Sequence, residues 1–300
     1  MDEREINEKA LDFLNKHDWI SAQKLLFKNA NQSQSHNAYN NLGFYLITEG
    51  LACKNEMFRN AYNLGTKYLL RAAEIKETAI NDFAITTALN YKFMGSSFRK
   101  KHEICKEAIC WLKKGLSIEL SHEMKYNLLR FLYFYNPQSE HLLNLSNDVA
   151  NSFPCQESIG LRLEILRLNK FKTEGIKCIK QHRELLDEVD LLMFYTSCGM
   201  YKEGFELCER VCRIFSIDKF IASAIIECCI KTNHNEEAQH YANMIQQLEK
   251  EIQYDGQEEW CCDVLGVQSY RKKMILDYRA NPAFIATCCY FGCNMHGTPW

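Results

Sequence analysis

The sequence predicts an all-α protein, a solenoid of stacked helix–turn–helix units closed by an irregular, cysteine-rich C-terminal tail. Three observations point there. A glutamate followed by a small residue recurs as Glu107-Ala108, Glu174-Gly175, Glu203-Gly204 and Glu237-Ala238, with Glu140-His141 as a degenerate copy. The second positions lie 33, 34, 29 and 34 residues apart in chain order, a step typical of helical hairpins stacked in an array. The run Gly199–Phe215 reads as a tight turn followed by an amphipathic helix, with Phe205, Cys208, Cys212 and Phe215 near helical spacing on one face. Finally, 300 residues contain only four prolines and thirteen glycines, which suits helices better than a turn-rich sheet protein.

Composition bounds the rest. At 47% hydrophobic, the chain can bury a core as two ordinary domains or as one continuous solenoid. A net charge of −2 and a pI near 6.5 give no bulk attraction to nucleic acid or to an anionic membrane. The basic clusters Arg99-Lys100-Lys101, Lys113-Lys114 and Arg271-Lys272-Lys273 read as solvated helix ends or faces. The N-terminus, Met-Asp-Glu-Arg-Glu-Ile, has no apolar signal core, and no apolar run reaches the length of a membrane span. A soluble, cytoplasmic protein is therefore expected. Of the fifteen cysteines, ten precede residue 250, and most of these fall at apolar helical positions, so they read as reduced core residues.

Taken in order, residues 2–16 form a charged amphipathic helix with Ile6, Leu11 and Leu14 inward. Asp18 then caps a second helix, on which Ala22 suits a close helix–helix approach. Next comes Ala38-Tyr39-Asn-Asn-Leu42-Gly43-Phe-Tyr-Leu46. The spacing of Tyr39, Leu42, Gly43 and Leu46 resembles the first helix of the tetratricopeptide repeat family, where a side chain at the glycine would push the two helices apart. The second half of that unit arrives late, at Ala61–Ala73, after an insertion around Ala52–Arg59. Further units are Met94-Gly95 with Ala108–Leu116, Tyr126–Tyr135 with Glu140–Val149, and Ile159–Leu168 with Gly175–His182. The last two are Leu191–Cys198 with Gly204–Phe215 and Ile221–Ile230 with Ala238–Leu248. The resemblance covers about residues 5–250 and implies a right-handed α-solenoid with a concave groove for a protein or peptide partner. The expected organisation is thus a repeat domain over residues 1–250, a capping helix within 251–280, and a tail over 281–300.

The tail contains no Lys, Arg, Asp or Glu between Asn281 and Trp300. Its Cys288, Cys289, Cys293 and His296 admit three readings. They are soft ligands that zinc or copper could accept, with Cys261-Cys262 completing a site. They are nucleophilic, oxidisable groups that a partner enzyme could modify, which would make the tail a core peptide and the helical body its docking domain. Or the tail folds back onto the last helices and buries Phe284, Ile285, Tyr290, Phe291 and Trp300.

No phosphate-cradling glycine loop, His-Glu-x-x-His or Gly-x-Ser-x-Gly motif is present in the sequence, so no enzymatic activity and no obligatory cofactor are expected. His102, His122, His234 and His240 read as surface residues. The favoured function is a non-enzymatic scaffold. By resemblance, the first helix of each unit lines the groove, which nominates Asn37, Asn40, Lys92, Arg99 and Lys125 for contact with a peptide carboxylate or main chain.

Overall fold

The computed structural model describes residues 2–16, 18–52, 57–94, 98–137, 139–214 and 219–252. Among the described residues there are fourteen α-helices and no strand. Helices adjacent in sequence pack against each other as pairs, and the chain divides into two compact units between Tyr135 and Asn136. The insertion is largely helical at its edges: the third helix runs to Ala52 and the fourth starts at Met57. The expected capping helix and the tail with Cys288, Cys289, Cys293 and His296 lie outside the described residues.

The first unit holds α1 (Glu3–Asn15), α2 (Trp19–Ser33), α3 (His36–Ala52), α4 (Met57–Ile75), α5 (Ala79–Met94), α6 (Phe98–Ile118) and α7 (His122–Tyr135). Side chains start these helices by accepting from backbone N–H groups that no helical carbonyl can reach. Asp2 and Glu5 form a reciprocal capping box on α1. Asp18 accepts from Ser21 N at 3.1 Å, Ser35 from Ala38 N at 3.0 Å, Thr78 from Asn81 N at 3.2 Å and Ser121 from Met124 N at 3.2 Å. Ser35, Thr78 and Ser121 stand at intervals of 43 residues. The second helices of the pairs keep the same interval. Ala22, Gly65 and Ala108 are buried small residues at equivalent places on α2, α4 and α6, and Leu26, Leu69 and Leu112 follow four residues later, each 0% exposed.

That interval corrects one sequence expectation. The 33-residue interval from Ala108 to His141 joins helices of separate units and is not a repeat step. Ala108 belongs to the 43-residue series instead. Within the first unit, α7 packs on α6.

Within the unit, α3 and α4 approach until their backbones touch. A Cβ on Gly43 would stand 2.8 Å from Gly65 O, and one on Gly65 would stand 2.7 Å from Gly43 O. Neither neighbour is a side chain that can rotate away, which is why glycine occupies both places. Tyr39 stacks on Tyr68 beside this crossing, and Phe27 of α2 meets Tyr68 edge-on.

The second unit holds α8 (Glu140–Ser152), α9 (Gln156–Leu168), α10 (Lys172–Gln181), α11 (Glu188–Ser197), α12 (Tyr201–Ile214), α13 (Lys219–Lys231) and α14 (Asn235–Ile252), with a single 3-10 turn at Arg183–Leu185. Three of its connections are the same turn. α9 reaches α10 through Asn169-Lys170-Phe171, α11 reaches α12 through Cys198-Gly199-Met200, and α13 reaches α14 through Thr232-Asn233-His234. The middle residue is left-handed each time, with φ of 60° at Lys170, 69° at Gly199 and 66° at Asn233. The third residue's N–H then returns to a carbonyl five residues back: Phe171 to Leu166 at 2.9 Å, Met200 to Tyr195 at 2.8 Å and His234 to Cys229 at 2.8 Å. This is the Schellman closure of a helix end.

Five residues after each left-handed residue stands a small one: Gly175, Gly204 or Ala238. Three of the glutamate–small pairs read from the sequence, Glu174-Gly175, Glu203-Gly204 and Glu237-Ala238, are these positions. Gly175 lies under the Phe194 ring of α11, where a Cβ would come within 2.1 Å, and Gly204 lies under Cys228 Sγ of α13, within 2.6 Å. α10 and α12 thus each leave a dent for a side chain of the next pair. Ile159, Leu163, Leu192, Leu207, Val211 and Ile225 fill the core around these contacts.

The cysteines of the described helices are free. Cys105, Cys178, Cys208, Cys228 and Cys229 are buried, Cys155, Cys198 and Cys212 half-buried, and Cys110 exposed. Burial pushes the Cys105 thiol up to about 11, and the Cys178 thiol is raised by burial too. Among the described residues, no helix is long and apolar enough to cross a membrane.

Candidate peptide-binding face

In both units a first helix touches the first helix of the next pair: α3 meets α5, α9 meets α11, and α11 meets α13. In the first unit this row carries an unusual load of buried polar side chains. Every residue of α5 from Asn81 to Asn90 is buried, including Asn81, Asp82, Thr86, Thr87 and Asn90. Asn40 and Asn41 on α3 and Asn127 and Arg130 on α7 are buried as well. A helix hidden on all sides ordinarily carries apolar residues, because an amide out of water must find a partner.

Some of these groups satisfy one another. Asn81 Nδ2 donates to Asn40 Oδ1 at 3.3 Å and to Leu69 O at 3.0 Å, which ties α5 to α3 and α4. Thr86 and Thr87 hydroxyls donate back to the carbonyls of Asp82 at 2.9 Å and Phe83 at 3.1 Å. The Arg130 guanidinium, 0% exposed, donates to Asn90 Oδ1 and, at 3.5 Å, to Asn127 Oδ1. It also sits 4.8 Å from the Phe131 ring centroid, in cation–π range.

Others find no partner among the described residues. Asn40 Nδ2, Asn81 Oδ1, both amide atoms of Asn41 and both carboxyl oxygens of Asp82 are buried without a hydrogen bond. Burial holds the Asp82 carboxyl up, to about 7; Glu77 adds to the rise and Lys114 opposes it. Asp82 is therefore uncharged over most of the acid range. Asn41 stands two residues before Gly43, so on a helical wheel it faces about 160° away from the α3–α4 crossing. Its amide points to the side of α3 that α4 does not cover.

The nominated groove residues are distributed unevenly. Asn37 is half-buried in the first turn of α3, and Asn40 is fully buried against Asn81. Lys92 is exposed in the last turn of α5, and Lys125 is half-buried in the first turn of α7. Arg99 belongs to α6, a second helix, so its backbone is not on the row of first helices. The structure brings Asn40 together with Asn81, and adds Asn41, Asp82, Asn90 and Arg130 to the row. The asparagine doublet Asn40-Asn41 was the available sequence signal for Asn41. Nothing local in the sequence marks Asn81 as the partner of a residue 41 positions earlier.

The second unit offers an open cleft of about 630 Å³ between two of its turns, lined by Gly199, Tyr201, Phe205, Thr232 and His234 among others. His234 stacks on Phe205 with ring centroids 3.9 Å apart, and its Nδ1 lies 2.9 Å from Thr232 Oγ1. Tyr201 donates to Glu227 at 3.1 Å. At this rim Phe205, His234 and Thr232 are occupied with each other. Among the described residues no group of three or more His, Cys, Asp or Glu side chains is arranged to hold a metal ion. Compared with known proteins, the chain matches no protein-family model and no curated protein.

Proposed function

We propose that the chain is a non-enzymatic binding scaffold, and that the row of first helices in its first unit receives an extended, uncharged peptide. The observation that carries this reading is the set of unpartnered amide atoms on Asn40, Asn41 and Asn81. A primary amide offers one acceptor and two donors, which complement the N–H and C=O that each residue of an extended chain presents. A peptide main chain is the ligand class that would satisfy them, and because Asn40, Asn41 and Asn81 are buried it would reach them only where α3 and α5 part.

The test is fluorescence anisotropy with a library of labelled, uncharged peptides, comparing the full chain with Asn41→Ala. Binding weakened about tenfold by the substitution, the equivalent of one lost hydrogen bond at 1.4 kcal/mol, is the expected outcome. Equal binding by both proteins, or none by either, sinks the reading.

A further inference from the structure

We infer that the second unit carries a redox modification site: the Cys208 and Cys228 thiols, both free in this structure, join as a disulfide that ties α12 to α13 when the protein meets a peroxide. The inference concerns the second unit and is independent of the binding reading for the first. Three observations carry it.

First, thiols gather where α12 meets α13. Cys208 and Cys212 stand one turn apart on α12, and Cys228 and Cys229 are neighbours on α13. The Cys208 thiol is within hydrogen-bond reach of Cys228 and of Cys229, whereas Cys212 pairs with the Tyr241 hydroxyl. Second, the packing leaves room for a bond. Cys228 Sγ occupies the space that a side chain at position 204 would fill, 2.6 Å from where a Gly204 Cβ would stand. Cys208 follows Gly204 by one helical turn on the same face, and its thiol donates to Gly204 O at 3.4 Å. Both sulfurs thus border one space made by a glycine. Rotation of Cys228 about its Cα–Cβ bond, which gives up the 3.1 Å contact to Thr196 Oγ1, turns its sulfur onto Cys208. Third, the pair shares a proton. The hydrogen bond from Cys208 lowers the Cys228 thiol to about 7 against the opposing effect of burial, and the same bond raises Cys208. One sulfur is the nucleophile and the other the proton donor.

Burial selects the oxidant. Cys208 is 3% and Cys228 0% exposed, which keeps out bulky reagents, whereas hydrogen peroxide, little larger than water, enters on local openings of the helices. The Cys228 thiolate attacks one peroxide oxygen and the O–O bond breaks, leaving a sulfenic acid and a hydroxide that takes up the proton Cys228 released. Cys208 then attacks the Cys228 sulfur, and its own proton leaves with the hydroxyl as a second water. Two thiols give up two electrons and two protons, and one peroxide becomes two waters. The bond lies one turn from the open cleft on both helices: Phe205 follows Gly204, and the Thr232 hydroxyl donates to Cys228 O at 2.7 Å. Oxidation therefore fixes the width of that cleft.

The test treats the full reduced chain with hydrogen peroxide, traps remaining thiols with N-ethylmaleimide, and digests with trypsin without reduction. Trypsin leaves Cys208 in peptide 203–210 and Cys228 with Cys229 in peptide 220–231, with Cys212 in neither. These two peptides should appear joined, two hydrogens lighter than their sum, as the main linked species. Amide exchange in α12 and α13 should slow at least tenfold on oxidation. Cys228→Ser should abolish the link and Cys229→Ser should keep it. Cys208→Ser removes the link from the other side and serves where Cys228→Ser does not fold. Peptides left unlinked by peroxide, a link that forms only in urea, or one that survives Cys228→Ser through Cys229 overturns the inference.

Discussion

The two units solve one problem, holding a helix pair at a fixed angle, by different means. In the second unit the means is the backbone. A three-residue turn with one left-handed residue closes on a carbonyl five residues back, and a small residue five positions later receives the next pair. In the first unit the helices are longer, their starts are fixed by Ser35, Thr78 and Ser121, and the closest approach is glycine against glycine at Gly43 and Gly65. The first unit also buries amides that the second unit's apolar core lacks, while each unit buries a carboxyl, Asp82 in one and Asp190 in the other. Stability in one unit is local and repeated. In the other it depends on a few long-range contacts.

Substitutions that act on one unit alone put this contrast to the test. The largest effect is expected from Gly65→Val, whose Cβ meets the backbone of Gly43 and cannot be accommodated by a rotamer change. It should destabilise the first unit by about 3 kcal/mol or more, seen in denaturant unfolding as an early phase while α9–α14 keep their amide protection. Unfolding of both units together in this variant would show that they are not energetically separate.

Gly204→Ala should cost about 2 kcal/mol, because its Cβ meets Cys228 Sγ, itself held 3.1 Å from Thr196 Oγ1. Cys228→Ala in the same protein should recover most of the loss, and a double-mutant cycle checks this. Additive losses would mean that the dent under Cys228 is not what glycine provides.

Each unit should carry a pH dependence of its own, through Asp82 in the first and through Asp190, whose carboxyl burial likewise holds up, in the second. Asp82 has a folded pKa of about 7 against about 3.9 unfolded, so the folded state binds the proton more tightly. Its contribution is complete below about pH 4 and declines as pH rises toward 7. Asp82→Asn should therefore stabilise the protein by about 1–2 kcal/mol at pH 8 and change little at pH 4, read from unfolding midpoints at the two values. A gain of equal size at both would remove the titration from the explanation.

The smallest effects are expected at the turns. Lys170→Gly relieves a left-handed lysine and should stabilise by about 0.5–1 kcal/mol, while Gly199→Ala should do the reverse by a similar amount. Thermal midpoints of opposite sign are the check. Matching signs would show that the left-handed residue is not what limits these turns.

Much of the second unit was readable in advance because its repeat is carried by adjacent residues. Glu174-Gly175, Glu203-Gly204 and Glu237-Ala238 sit at the same place after the same turn, at steps of 29 and 34 residues. The start of the chain was equally plain: Ile6, Leu11 and Leu14 are buried, Asp18 caps α2, and Ala22 is fully enclosed. The 43-residue step of the first unit was hidden because it rests on Ala22, Gly65 and Ala108 with Leu26, Leu69 and Leu112, a small residue and a leucine four apart, which any helix can show by chance. The candidate face was legible only in part. Asn40 drew attention as a polar residue on a first helix, but its burial against Asn81 depends on how α3 crosses α5, a fact of packing that no local pattern encodes.

The three matched turns have a consequence for how this sequence can change. A lysine, a glycine and an asparagine hold the same position, so the identity of that residue is negotiable. The number of residues in the turn is not. One amino acid added at Lys170, Gly199 or Asn233 would rotate the helix that follows by about 100°, swing the small residue away from its neighbour, and set a bulky flank in its place. Drift by substitution is tolerated there, and drift by insertion is not.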